Sequence, residues 1–338
     1  MVATVKDVAQ LAGVSAMSVS RVINDRPGVG VETRRKIEEA IATLNYAPSR
    51  IASSLVSAKT QTIGLIVPDV SNPFFAPIVR GAETAARKAG YRVLLCNSES
   101  DIRLERDYVG DLVSHRVEGL MVAPVGDRSR THLAGLVKHN FPLVLIDRHV
   151  AGLDCDSVTL DNVASARRMG EHLVAVGHRR IAYVTDADDV STGRERLQGF
   201  RQALDQAGIP SCPELVFQTT VDQIGGYRTM QQILDLEDRP TAVFAVNNMT
   251  AIGAMQAIRE AGLTVPDDIS LVCFDDVQHL AVVAPFLTVI DQPAETMGSV
   301  AAQLLLERIS GRAGERARRI TFPGKLTIRI SCGIKAMK

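Results

Sequence analysis

The sequence predicts an all-α helix-turn-helix head followed by an α/β body of two doubly wound, parallel-sheet lobes. Three observations carry that expectation. At 338 residues the chain exceeds one ordinary domain, and its 46% hydrophobic and 22% charged residues are those of a soluble globular protein. Residues 4–46 show only helical periodicity. From Thr62 onward, apolar runs of five to seven residues alternate with amphipathic stretches of 10–20, the pattern of parallel strands covered on both faces.

In the head, Thr4 and Asp7 form a capping-box pattern, and Val5, Val8, Ala9, Leu11 and Ala12 make the stripe of a first helix. Gly13 suits a left-handed turn and Ser15 an N-cap, so a second helix runs from Ala16 to about Asn24. Its Val19, Val22 and Ile23 are expected to pack on Val8 and Leu11. Pro27, Gly28 and Gly30 mark Asp25–Val31 as loop. A third helix spans about Glu32–Leu44, weakly capped at Gly30 and stopped by Pro48. The polar stretch 49–62 reads as a linker with marginal helix propensity.

Strands follow at TIGLIVP (62–68), YRVLLC (91–96), EGLMVAP (118–124), PLVLID (142–147), RIAYVT (180–185), TAVFAV (241–246) and ISLVCF (269–274), with a last strand-like segment at Leu326–Ser331. LVSHRVEGLMVAP (112–124) and LVAVGHRRIAYVT (173–185) echo one another, as two similar halves would.

Lys plus Arg (38) equals Asp plus Glu (38), which excludes a histone-like basic protein and an acidic disordered one. Residues 1–59 nevertheless carry eight Lys/Arg against five Asp/Glu, a basic head on a slightly acidic body. Five scattered cysteines without a CxxC or Cys/His cluster argue against a metal centre or disulfide framework. With no leader and no membrane-length apolar run, a cytoplasmic protein without cofactor is expected. No GxSxG elbow, P-loop or HExxH occurs, so no enzymatic activity is expected.

On the second helix, Ala16, Met17, Ser20, Arg21 and Asn24 lie opposite the apolar face. A small, polar, singly basic surface suits a major groove. Arg21 can grip guanine or a phosphate, and Ala16 and Met17 can touch thymine methyls. Serine hydroxyls and the helix N-terminus can hold phosphates. Periodicity alone also describes a three-helix bundle with a solvated face.

Residue identity goes further. TVKDVAQLAGVSAMSVSRVIN (4–24) and TRRKIEEAIATLNYAPSRIASSL (33–55) closely resemble the bacterial lactose-repressor/galactose-repressor (LacI/GalR) family of transcription regulators. The resemblance continues through SNPFFAPIVRGAE, GHRRIAYV, RPTAVFAVNN, VPDDISLVCFDD and LTVIDQP, and is strongest to ribose-repressor-like members. It implies a helix-turn-helix DNA-binding domain at 1–46, a hinge helix and linker at 47–60, and an effector-binding and dimerisation body of periplasmic-binding-protein type at 61–338. The N-lobe would take about 61–160 plus 291–320, and the C-lobe about 161–290 plus 321–338.

By the same resemblance Thr4, Ser15, Ala16, Met17, Ser18, Ser20, Arg21 and Asn24 contact DNA. The hinge helix Pro48–Leu55 enters the minor groove, Leu55 wedging a base step with Ala52 beside it. So short a helix is unstable alone in water, which lets its formation couple DNA to the body. The expected partner is a palindromic double-stranded operator with a central CG step, bound by a homodimer. The chain stops at Lys338 without a heptad tail, so a coiled-coil tetramer is not expected.

Ligands of open parallel sheets sit beyond the carboxyl ends of strands, where this sequence repeatedly places polar groups. Resemblance to ribose-binding relatives assigns the effector to Asn72, Phe74, Phe75, Asp147, Arg148, Arg196, Asn247, Asp275 and Gln292. Carboxylates, amides and a guanidinium pair with vicinal hydroxyls while Phe covers a C–H face, which fits a sugar such as ribose. Asp276, Asp291 and Asn248 suit turns or caps. Val221 and Val190 stand where purine-binding relatives carry an aromatic and a charged side chain, which weakens a purine effector; nucleosides and polyols stay open. From other classes, a sugar-uptake protein is disfavoured by the basic head and an enzyme by the missing motifs.

Overall fold

The computed structural model describes residues 3–23, 25–46, 60–276 and 286–333. They fall into two compact units, Met1–Thr60 and Gln61–Lys338.

The first unit holds helices α1 (Val5–Ala12), α2 (Ala16–Ile23) and α3 (Val31–Thr43). The capping box forms: the Asp7 N–H donates to Thr4 Oγ1 at 3.4 Å, and the Thr4 N–H donates to Asp7 Oδ2 at 2.7 Å. Gly13 turns left-handed at φ 66°, and Ser15 Oγ accepts from the Ser18 N–H at 3.2 Å. Val8, Val19, Val22, Ile37 and Ala40 make the core. Leu11 departs from expectation and is 53% exposed. The inward stripe runs through Val5, Val8, Ala9 and Ala12, and Leu11 falls on its flank at helical spacing. Nor does α3 wait for Pro48: the chain turns at Asn45, φ 45°, just after the Leu44 cap. Gly30 caps α3 without a side-chain bond, as expected.

The second unit contains two six-stranded sheets. The first is built from β1 (Thr62–Val67), β2 (Arg92–Asn97), β3 (Leu120–Val122), β4 (Leu143–Asp147), β5 (Asp156–Leu160) and the late β11 (Arg319–Phe322). Its order is 2-1-3-4-5-11, all parallel. The second is built from β6 (Ile181–Thr185), β7 (Val216–Gln218), β8 (Ala242–Ala245), β9 (Ser270–Phe274), β10 (Thr288–Asp291) and β12 (Lys325–Thr327). Its order is 7-6-8-9-10-12, with only β12 antiparallel. The chain therefore crosses between lobes after β5, β10 and β11.

Helices α4 (Phe75–Lys88) and α11 (Ala294–Ile309) pair over one face of the first sheet, α7 (Asn162–Ala175) with α8 (Ser191–Gln206) and α9 (Gln223–Leu234) with α10 (Asn248–Glu260) over the second. On the other face of the first sheet lie α5 (Ile102–Ser114) and α6 (Arg130–Lys138). Asp156, buried at the start of β5, is clamped by Arg308 at 2.7 Å and Arg318 at 2.8 Å.

Two expectations need correction. The segment Leu326–Ser331 is strand only to Thr327, then a 3₁₀ turn at Ile330–Cys332. The sequence echo pairs β3 with β6, which are not equivalent in the two orders; the topological matches are β1 with β6 and β4 with β9. Among the described residues, no helix is long and apolar enough to cross a membrane.

Candidate DNA-reading face and ligand cleft

On the head, α2 presents an exposed surface of Ala16, Met17, Ser20 and Arg21, Met17 at 68% exposure. Thr4 and Ser15 are exposed at the N-termini of α1 and α2, and Ser18 is half-buried with its hydroxyl 3.0 Å from that of Ser15. Asn24, Ala52 and Leu55 lie outside the described residues. The structure adds Gly28, at φ +100°: a Cβ there would stand 3.1 Å from Arg21 Nη1. The bare backbone thus leaves room for the Arg21 guanidinium, a role hidden by reading Gly28 only as a helix breaker.

In the body, the carboxyl ends of the strands converge on one cleft. Asn72, Phe74 and Phe75 come from the start of α4, Asp147 and Arg148 from the end of β4, Arg196 from α8, Asn247 from the end of β8 and Asp275 from the end of β9. Eight of the nine expected effector residues thus share a wall. Gln292 does not; it stands behind Asp275, its Nε2 donating to Asp275 Oδ1 at 2.6 Å. Sequence reasoning missed Asp186, Thr192 and Val246, which line the same space. The signal was available, since Asp186 and Val246 directly follow β6 and β8.

Asp147 and Asp275 both adopt φ 66°, a left-handed conformation that Asp tolerates better than most side chains. Burial raises the Asp147 carboxyl above its ordinary value, with Arg148 and Arg196 pulling it back. Burial likewise pushes Asp275 up to about 6, against the pull of Arg196 and the Gln292 hydrogen bond. Arg196 donates from Nε to Asn162 Oδ1 at 2.9 Å and from Nη1 to the Val246 carbonyl at 2.7 Å, its Cζ 3.9 Å above the Phe274 ring. Arg148 Nη1 donates to the Pro124 and Val125 carbonyls at 3.2 and 3.3 Å, while its buried Nε makes no hydrogen bond and stands 3.6 Å from Asp147 Oδ2. Phe74 and Phe75 meet edge-to-face with centroids 5.1 Å apart. Asn247 carries a structural duty as well: it caps α10, its Oδ1 accepting from the Thr250 N–H at 2.9 Å. Asn248 is therefore not the cap, and Asp276 pairs with Arg329.

This donor and acceptor set suits hydroxyl or ring N–H groups beside an apolar face. The cavity it leaves is about 30 Å³, room for a water or two. Contacts across the lobes hold it shut. The Asp127 N–H donates to the Asp189 carbonyl at 2.8 Å, Arg128 pairs with Asp189 at 2.9 Å, and Arg194 pairs with Asp127 at 3.1 Å. The His149 N–H donates to Ser191 Oγ at 3.1 Å.

Comparisons with known proteins agree with this geometry. The family model described as bacterial regulatory proteins, lacI family, matches residues 4–49, and a periplasmic binding protein-like domain matches residues 171–332. An HTH-type transcriptional repressor PurR from Aliivibrio salmonicida is 37% identical over 315 residues, covering 93% of this chain and 94% of that protein. The lac repressor dimer bound to operator and the anti-inducer ONPF superposes with a TM-score of 0.86 at 30% identity, covering 98% of this chain and 99% of that one. A LacI family transcriptional regulator from Enterococcus faecium with bound ribose superposes with a TM-score of 0.70 at 30% identity, covering 80% of this chain and 98% of that one.

Proposed function

Because the chain belongs to the lacI family of bacterial regulatory proteins, we propose that it is a repressor whose grip on a palindromic operator, as a homodimer, is set by a pentose such as ribose held between its lobes. The observation that carries this reading is the meeting of one buried aspartate from each lobe, Asp147 and Asp275, with Arg148, Arg196 and the Phe74 ring. Carboxylates accept from vicinal hydroxyls, guanidinium groups donate to the ring or anomeric oxygen, and Phe74 covers a C–H face. The ribose-bound Enterococcus faecium regulator supports the choice. A cavity of about 30 Å³ cannot admit a pentose unless the lobes part, so ligand occupancy and lobe geometry are linked.

Calorimetric titration of the full chain with pentoses, polyols, nucleosides and nucleobases tests the ligand. Heat with ribose is expected, and heat with none of the sugars overturns the reading. A gel shift on the region upstream of the protein's own gene, with and without ribose, tests the coupling. A hundredfold change in operator affinity corresponds to about 2.7 kcal/mol, within the usual allosteric range. Affinity should fall steeply with salt, since phosphate contacts dominate such binding. A nucleobase effector is the second reading: Phe74 offers one stacking face, but Val221 across the cleft cannot supply the other.

A further inference from the structure

We propose that the body carries a second small-molecule site, on the far side of Asp147 from the cleft, which accepts a hydroxylated ammonium compound such as an amino sugar and refuses phosphate esters. A cavity of about 560 Å³ lies there, against about 30 Å³ for the cleft. Its size is that of ordinary ligand pockets, roughly 300–1,000 Å³.

The alternation of strand side chains creates it. Val144, Val158 and Ile320 face the α4–α11 layer. Leu145, Ser157, Thr159 and Thr321 therefore face the other way, on strands β4, β5 and β11, and form the floor. The loop after β4 roofs this floor with Val150 and Leu153. The second lobe closes the side with Asp161 and Asn162 at the start of α7 and Ser191 and Glu195 on α8.

The lining selects by charge. Four carboxylates, on Asp147, Asp154, Asp161 and Glu195, face one guanidinium, that of Arg319. Even with Arg319 paired to Asp154 at 3.3 Å and His149 to Glu195 at 3.2 Å, the surroundings are acidic, which repels a phosphate and attracts an ammonium group. Hydroxyls of Ser157, Thr159 and Thr321 beside the apolar Leu145 suit a hydroxylated ring.

The site is wired to the cleft. Glu195 Oε2 accepts from Asn162 Nδ2 at 2.9 Å, and Asn162 Oδ1 accepts from Arg196 Nε at 2.9 Å. An ammonium group that draws Glu195 toward itself would shift the support beneath Arg196, so occupancy here modulates the cleft.

Calorimetry on the full chain tests this with glucosamine, glucose and glucose 6-phosphate as probes. Glucosamine should bind one per chain, glucose at least tenfold more weakly, and glucose 6-phosphate not at all. Thr159→Trp, which fills the cavity, should abolish glucosamine binding, whereas Asp275→Ala, which damages only the cleft, should retain it. Should Thr159→Trp fail to fold by its thermal transition, Glu195→Gln serves instead, with glucosamine weakened at least tenfold and glucose unchanged. The proposal is overturned by no glucosamine heat, by equal binding of glucose 6-phosphate, or by glucosamine binding that survives Thr159→Trp and Glu195→Gln. Because Asp275→Ala removes only the cleft reading, failure of one site is separable from failure of the other.

Discussion

The two lobes share a strand order yet present their carboxylates to the cleft differently. Asp275, at the end of β9, is held by Gln292 and faced by Arg196, itself fixed by Asn162, the Val246 carbonyl and the Phe274 ring. Asp147, at the end of the matching strand β4, has no hydrogen-bonded support like that of Gln292 among the described residues; Arg148 Nε stands 3.6 Å away, and Arg148 spends its Nη1 on the carbonyls of Pro124 and Val125. The second lobe's half of the site is preformed. The first lobe's half depends on the loop after β3, whose Asp127 and Arg128 also touch the second lobe. A ligand has most to organise in the first lobe, and that is where binding can be converted into movement.

The largest expected effect breaks the preformed half. Arg196→Ala leaves Asn162 and the Asp275 carboxylate without their buried partner, a loss of about 3 kcal/mol or more. Ribose affinity should fall over a hundredfold by calorimetry, with a lower thermal midpoint.

The next effect sharpens the contrast through pH. With Asp275 at about 6, roughly one in ten molecules carries the carboxylate at pH 5, so binding of hydroxyl donors should weaken about tenfold between pH 7 and pH 5. Gln292→Leu removes a bond to the charged form and should move that midpoint upward; Asp147→Asn removes a like charge that raises it and should move it downward by a smaller amount. In the unliganded protein the native state holds this proton more tightly than the unfolded chain. The contribution of Asp275 therefore falls as pH rises from about 4 to about 6 and is flat above, readable as the change in unfolding free energy.

The smallest effect concerns the interlobe contacts. Arg128–Asp189 and Arg194–Asp127 are partly exposed pairs, each worth under about 1 kcal/mol. Asp127→Ala should change ribose affinity by no more than about fivefold, and a far larger loss would show that this loop is as rigid as the second lobe's half.

Legibility in the sequence followed sequence distance. Capping at Thr4 and Ser15, the left-handed Gly13 and the main strands rest on neighbours within a turn or a pleat, and they were readable. Eight cleft residues were readable because each follows an apolar run or matches a family motif. Leu11 misled because a helical stripe has edges that periodicity counts do not weigh. Strands β5, β7 and β11 are short or polar, as in DSVTL and RITF, and only their pairing makes them strands. Gln292 sits one residue past β10 like a ligand contact, but three dimensions put Asp275 in front of it. The Arg128–Asp189 contact joins residues some sixty apart, and no local pattern announces it.

The late arrival of β11 also bears on how the polypeptide is made. During synthesis from the N-terminus, β5 emerges while the segment that flanks it, Arg319–Phe322, is still untranslated, and so are Arg308 and Arg318, the counter-ions of Asp156. Until then the first sheet has an unpaired edge and an uncompensated buried acid. Neither half can mature until the chain has been made past Lys325–Thr327, so the halves are born together and are expected to melt as one.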